Sequence, residues 1–138
     1  LPVDQKLQLL ILSHVVLLNE GRPGSLAHLE IEALGERFRG AIQARRDRYE
    51  QALRELVEEG MASGVFRPVD AKGTALAILG AVNWTVKWFR PEGGRAAREI
   101  GGEFAALLVR GLLAGGSELA PPPAALVDEA EKLAGDEE

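Results

Sequence analysis

Several polar residues fall where helical spacing predicts faces that point into a protein core. His14 lies within the apolar stripe of the first predicted helix, Arg45 or Arg46 falls on the inward stripe between Ile42 and Tyr49, and Asn83 interrupts a strongly apolar helix. A buried polar or charged group is costly without a partner, so each of these residues needs an answering group. That group is either a side chain of the same core or a bound ligand, and for the arginines the ligand would be an anion.

Both tryptophans of the chain occur in one short segment. Trp84 and Trp88 are four residues apart, which places them on one face of a helix. Aromatic residues on a helix are commonly part of a core. Two tryptophans beside Asn83 and Lys87 also suit the wall of an apolar cavity that carries a few orienting polar groups.

No arrangement of residues predicts catalysis. There is no His-Glu-x-x-His pair, no glycine-rich phosphate loop after a strand, and no triad that the serines could join. The absence of cysteine excludes a thiolate nucleophile and a cysteine-based zinc site. Two histidines are too few for an all-histidine metal centre, although these counts leave a mixed carboxylate site open. We therefore expect a protein that is not an enzyme and that holds no metal or cofactor.

The charge of the chain is unevenly distributed. Its formal net charge is −5, and residues 117–138 carry seven acidic residues against Lys132, a net of −6, so the remaining body is left at +1. Neither part is the basic surface that DNA phosphates require. Asp4, Lys6 and His14 interrupt the apolar opening, which predicts a core helix instead of a signal peptide or membrane span. We expect a cytoplasmic protein that does not contact the membrane.

Apolar periodicity, together with proline and glycine, predicts an all-α chain of five antiparallel helices and a tail. The expected helices cover about residues 4–19, a short segment from Ser25, and about 38–63, 71–89 and 96–114. Asp70 is the predicted N-cap of the fourth helix. We assign residues 1–116 to one domain and residues 117–138 to a tail, in which a proline-rich spacer precedes a short acidic helix holding Leu126, Ala130 and Leu133.

Small residues recur at helical spacing in the last two long helices. Glycine inside a helix costs roughly 1 kcal/mol relative to alanine, so close packing must compensate for it. The packing is either within one chain or across a two-fold axis, where two such hairpins form a four-helix bundle. We predict the second, with an interface made of Ala77, Gly80, Ala81, Gly101, Phe104, Ala105, Leu108, Gly111 and Leu112.

The segments GVFRPVDAKGTALAILGAVNWTVKWFRPEGG and EIGGEFAALLVRGLL resemble the C-terminal region of TetR-family regulators. The resemblance is strongest to the subgroup that governs fatty-acid and acyl-CoA catabolism, in which a recurring signature corresponds here to Gly80, Asn83, Trp84, Trp88, Arg90, Pro91 and Gly93. The segment ARRDRYEQALRELVEEGMASG, residues 44–64, is also similar to the family. The resemblance covers about residues 36–115 well, residues 1–35 loosely, and the acidic tail not at all.

The resemblance implies a homodimer that senses a small molecule and controls DNA binding. Effector binding in such regulators shifts the first helix of the core and lowers the affinity of the N-terminal helix-turn-helix domains for DNA. No helix-turn-helix precedes Leu1, so we expect this chain to sense and dimerise, and to meet DNA only through a domain that it lacks. We predict an acyl-CoA or fatty-acid-like effector bordered by His14, Arg45, Arg46, Tyr49, Asn83, Trp84 and Trp88.

Two other hypotheses remain at this point. The chain could be a helical dimerisation and protein-interaction module without a small-molecule ligand, in which case the core around Trp84 and Trp88 would be packed solid. It could also be a small helical enzyme, which would require an acid–base cluster in a cleft.

Overall fold

The computed structural model describes residues 1–20, 35–116 and 118–136. Over these residues the chain is helical, and its extended backbone contributes an isolated bridge between Phe66 and Leu113. The helices are α1 (Val3–Glu20), α2 (Gly35–Ala62), α3 (Ala71–Trp88), α4 (Ala97–Arg110) and α5 (Ala124–Asp136), with a single 3-10 turn at Pro91–Gly93 between α3 and α4. The prediction of an all-α fold is confirmed. The short helix predicted from Ser25 lies outside the described residues.

Local sequence signals explain where α2 ends and α3 begins. Gly64 takes a left-handed backbone conformation (φ +79°), which glycine adopts without steric cost, and this turns the chain away from α2. Asp70 then caps α3, because its carboxylate Oδ2 accepts a hydrogen bond from the Gly73 amide at 2.7 Å. The predicted N-cap is therefore present.

Helix α4 ends at Arg110, four residues earlier than the periodicity predicts. The chain beyond it pairs with the turn between α2 and α3, where the Arg67 amide donates to the Leu112 carbonyl at 2.7 Å and the Ala114 amide donates to the Val65 carbonyl at 2.9 Å. These backbone groups cannot also make helical hydrogen bonds, so a tertiary contact ends the helix.

The core forms around α1, which packs most extensively against α4 and also contacts α2 and α3. Its buried side chains meet one buried stripe from each neighbouring helix. The two helices run antiparallel, since the start of α4 lies beside the C-terminal half of α1. The central buried residues are Leu7, Ile11 and Val15 of α1, Leu53 and Val57 of α2, Ile78 and Val82 of α3, and Ile100 and Val109 of α4.

Helix α5 stands apart from this core. All of its residues are exposed, including Leu126, Val127 and Leu133. The acidic tail therefore forms the expected short helix, and the domain boundary at residue 116 stays a prediction. Among the described residues, every helix is too short or too polar to span a membrane.

Candidate functional site

His14 and Tyr49 form an aromatic stack between α1 and α2. Their ring centroids are 3.9 Å apart and their planes differ by 8°. His14 is 7% exposed although it is polar, and Tyr49 is half-buried. The position of each follows from periodicity, because His14 comes one turn after the buried Ile11 and Tyr49 one turn before the buried Leu53. The structure thus brings together two of the residues that the sequence predicts to border an effector.

Arg45 and Arg46 lie on α2 within one turn of Tyr49. Both residues are exposed. They precede Tyr49 on α2 by four and three residues, which places them on the same side of the helix as Tyr49. Guanidinium groups of this kind suit phosphate or carboxylate groups, which they can bind through paired hydrogen bonds.

A hydrogen bond that was not predicted from the sequence joins the C-terminal end of α1 to α3. The Asn19 side-chain amide donates to Thr85 Oγ1 at 2.9 Å and also to the Val15 carbonyl at 2.9 Å, while the Thr85 hydroxyl donates to the Val82 carbonyl at 2.7 Å. Thr85 is 0% exposed, so this hydroxyl depends on protein partners. A threonine on the buried side of an apolar helix was the available signal.

Asn83, Trp84 and Trp88 occupy a different part of α3. Asn83 is half-buried, whereas Trp84 is 63% exposed and Trp88 is 44% exposed. Trp88 contacts Phe104 of α4, with ring centroids 6.0 Å apart. Among the described aromatic contacts, neither tryptophan ring meets the His14–Tyr49 stack. The tryptophans therefore face outward, while the stack lies inside.

The outward sides of α3 and α4 are both apolar, and together we term them the α3–α4 face. The contact between Trp88 and Phe104 joins the two helices. Leu107 is 71% exposed on α4. The α3–α4 face comprises Ala77, Gly80, Ala81, Trp84 and Trp88 of α3, Phe104, Leu107 and Leu108 of α4, and Gly111, which follows α4, all of them exposed or half-buried.

Three residues predicted for a subunit interface lie instead inside the chain. Gly101 packs on α1, where a Cβ atom would sit 3.1 Å from the Leu12 carbonyl oxygen, and Ala105 and Leu112 are buried in the core. For Gly101 and Ala105 the small side chain is explained by the close approach of α1. We therefore leave these three residues out of the interface proposed below.

Ionic groups on the described surface offer little chemistry. Arg95 donates a hydrogen bond to the Glu103 carboxylate and lies near Glu99, and these contacts raise the pKa of its guanidinium above the usual value. Arginine is charged at any physiological pH, so the pair cannot act as a proton switch. Within the described ranges, no cluster of three His, Asp or Glu side chains could hold a metal ion.

The fold and these surfaces agree with one family of proteins. Residues 1–112 match the family described as "Tetracyclin repressor-like, C-terminal domain". The chain belongs to this family, whose members form the ligand-binding domain of TetR-type transcriptional regulators. Comparison with curated proteins finds no matching sequence.

Solved structures of TetR-type regulators share the fold. The chain is 32% identical to PfmR, a TetR family transcriptional regulator from Thermus thermophilus, with a TM-score of 0.71 over 78% of this chain and 60% of PfmR. It is 26% identical to AibR in complex with isovaleryl coenzyme A and operator DNA, with a TM-score of 0.65 over 79% of this chain and 60% of AibR. The apo form of AibR gives a TM-score of 0.61 at 26% identity, over 77% of this chain and 57% of AibR. The chain thus spans about three fifths of these regulators.

Proposed function

We propose that this chain is the effector-sensing and dimerising domain of a cytoplasmic TetR-type repressor. It pairs with a second copy through the α3–α4 face, binds an acyl-CoA between α1, α2 and α3, and has no enzymatic activity. DNA is bound by a helix-turn-helix domain outside this sequence, and effector binding weakens that interaction. The observation that carries the proposal is the exposure of large apolar side chains on both α3 and α4, which the contact between Trp88 and Phe104 joins.

The size and composition of the α3–α4 face favour a second copy of the chain as its partner. Trp84, Trp88 and Leu107 are large apolar side chains that protrude into solvent on neighbouring helices. Soluble proteins rarely expose contiguous apolar patches of this kind unless the patch binds something. Pairing of two helices with their symmetry mates across a two-fold axis would cover both copies at once.

Gly80 supplies an independent reason to expect a close helix partner. It lies in the middle of α3 and is exposed, and a Cβ atom built on it would meet no other atom within 4 Å. Nothing in the described part of the chain therefore requires glycine here, although glycine costs a helix interior roughly 1 kcal/mol relative to alanine. Close approach of a helix from another subunit would explain the residue.

Dimerisation is tested by placing a charge on the face. We expect the unmodified chain to sediment as a dimer at micromolar concentration, and Leu107→Asp to raise the dimer dissociation constant by at least about 100-fold, because a buried unpaired carboxylate is strongly disfavoured. Leu119→Asp is the matched control, since Leu119 is 93% exposed and lies outside the face. A wild-type chain that is monomeric at tens of micromolar would contradict the proposed dimer.

The effector part of the proposal rests on the His14–Tyr49 stack and on the arginines that precede Tyr49. The stack is an aromatic contact between α1 and α2, and Arg45 and Arg46 are exposed on α2 within one turn of Tyr49. An acyl group would contact the stack while the phosphates of coenzyme A meet the arginines. The related regulator AibR has been solved with isovaleryl coenzyme A, which supports this class of ligand.

The tryptophans have a different proposed role from Tyr49, which we assign to the acyl site. Because Trp84 and Trp88 are exposed and continuous with Phe104, we assign them to the subunit interface and not to the acyl site. Asn83 is half-buried on α3 and stays a candidate for the border of the site.

Calorimetry with isovaleryl-CoA tests the effector assignment, with free coenzyme A as the control for phosphate binding. We expect isovaleryl-CoA to bind and to raise the melting temperature, since a ligand at 100 times its Kd stabilises the folded state by about 2.7 kcal/mol. Tyr49→Ala should weaken binding at least about tenfold, whereas Arg48→Ala, one position earlier and exposed, should change it far less. If isovaleryl-CoA produced no binding heat and no shift in melting temperature, the acyl-CoA assignment would be overturned. The proposed dimer would be unaffected by that result.

A further inference from the structure

The outer side of α1 carries an apolar groove that no described segment covers. Two depressions of about 300 and 620 Å³ meet at Leu12, where the side of α1 faces Gly102 of α4. Gly102 has no side chain to fill the space beside Leu12, and Leu9 and Leu17 of α1 are 54% and 40% exposed. The α1–α4 groove is lined by Leu1, Gln5, Gln8, Leu9, Leu12, Ser13, Val16, Leu17, Glu20, Arg98, Gly102 and Ala105.

This groove is separate from the α3–α4 face. On α4, Arg98 and Gly102 lie on one side of the buried stripe, and Phe104 and Leu107 lie on the other. Covering the groove would therefore leave the proposed subunit interface free.

Helix α5 has an apolar stripe without a partner. Leu126, Ala130 and Leu133 recur at i, i+4 and i+7, which places them on one side of the helix, yet all three are exposed. A helix of 13 residues is marginally stable alone in water, so a stable α5 requires packing of this stripe.

We propose that α5 closes over the α1–α4 groove of its own chain and packs its stripe against Leu9, Leu12 and Leu17. The lengths agree, because α5 is about 20 Å long and the groove follows α1 for about 24 Å from Leu1 to Leu17 at 1.5 Å per residue. The two surfaces are of the same apolar character, and no other described segment covers either of them.

The connection between α4 and α5 is long enough for this closure. The Ala114 amide is held by the Val65 carbonyl at 2.9 Å, near the end of α4 that lies beside the start of α1. Residues 115–123 can extend to roughly 30 Å at about 3.3 Å per residue. A tether of this length gives the helix a local concentration of the order of millimolar, so even weak packing can hold it.

The tether sets the direction of α5 in the groove. A helix that enters at the Leu1 end brings its C-terminal end to Arg98, which makes no ion pair among the described residues. Helix α5 carries four acidic residues against Lys132, and Asp136 lies in its last turn beside the apolar stripe. In this direction the closed form places Asp136 at the end of the groove that Glu20 and Arg98 line.

Amide hydrogen exchange on the full chain provides the first test. We expect amides in 126–134 to exchange at least about tenfold slower than in an unstructured peptide, and Leu17→Asp to remove this protection without altering the sequence of α5. Leu119→Asp, in the tether, is the control and should preserve it. Exchange of α5 at unstructured rates in the unmodified chain, or protection that survives Leu17→Asp, would overturn the proposal.

Cross-linking provides a second test that does not depend on stability. The chain has no cysteine, so paired Leu17→Cys and Leu133→Cys substitutions introduce the only thiols. Mild oxidation should form a disulfide within one chain at least about tenfold faster than the control pair Leu17→Cys and Leu119→Cys. Equal rates would refute the closure, and covalent dimers would show that α5 covers the groove of another copy, which also contradicts it.

Discussion

Replacing Gly60 with alanine should destabilise the fold, although alanine is the better helix former. Gly60 lies in the last turn of α2, and the ring of Phe66 packs directly on it. A Cβ atom at position 60 would sit 2.0 Å from Phe66 Cδ2 and 2.4 Å from its Cε2. Carbon atoms in contact lie roughly 3.5–4.0 Å apart, so the ring would have to retreat by roughly 1.5–2 Å.

The ring has little freedom to retreat. Phe66 is buried, and its amide donates to the Gly60 carbonyl at 3.0 Å, which ties the two residues together. Overpacking of this kind costs roughly 1–3 kcal/mol, against a gain of up to about 1 kcal/mol in helix propensity. We expect a net loss of about 1–2 kcal/mol in the free energy of unfolding, or roughly 3–10 °C in melting temperature for a chain of this size.

Urea and thermal unfolding followed by circular dichroism measure this loss, at one fixed protein concentration because a dimer's stability depends on it. Gly135→Ala is the matched control, since a Cβ atom there meets nothing within 4 Å. In the Phe66→Leu background, Gly60→Ala should lower the free energy of unfolding by less, because the ring that collides with the new Cβ atom is absent. A Gly60→Ala chain as stable as the wild type, or an equal cost in both backgrounds, would refute the steric argument.

Three further substitutions probe other contacts. Asp70→Ala should lower the free energy of unfolding by about 1 kcal/mol through loss of the α3 cap, and Asp70→Asn should retain most of it; an unchanged urea midpoint for Asp70→Ala would contradict the role of the cap. Thr85→Val should lower the free energy of unfolding by about 1–2 kcal/mol, because the half-buried Asn19 amide loses an acceptor. Thr74→Val on the same helix should lower it less, and equal urea midpoints for the two variants would count against the α1–α3 hydrogen bond. Arg95→Gln should leave the melting temperature unchanged, since its ion pairs are exposed, and a clear decrease would show that they contribute to stability.

Much of the local structure could be predicted from the sequence. The cap at Asp70, the turn at Gly64 and the helical periodicity of α1 and α3 depend on interactions between residues close in the chain, which the sequence displays directly. The same reasoning placed His14 and Tyr49 on inward faces, and the structure stacks them. The end of α4 at Arg110 could not be predicted, because it depends on hydrogen bonds to the distant turn near Val65.

The sequence did not predict which face of each helix packs against which neighbour. Gly80 and Gly101 looked equivalent as small residues at helical spacing, yet Gly80 is exposed and Gly101 packs against the backbone of α1. On α4, Leu107 is 71% exposed, whereas Val109, two residues later and equally apolar, is 3% exposed. Periodicity shows that a helix face is apolar, but it does not show which neighbour covers that face. A wide apolar stripe that packs against two neighbours therefore looks in the sequence like a single stripe.

By itself, then, the sequence determined that the chain is helical, where several helices begin and end, and which family it resembles, since these follow from neighbouring residues and recurring motifs. The tertiary structure decided that Gly101 and Ala105 serve the contact between α1 and α4, that Trp84 and Trp88 face solvent, and that Asn19 bonds to Thr85. Those outcomes depend on how each helix is rotated about its axis when the core packs. That rotation is set jointly by all the helices.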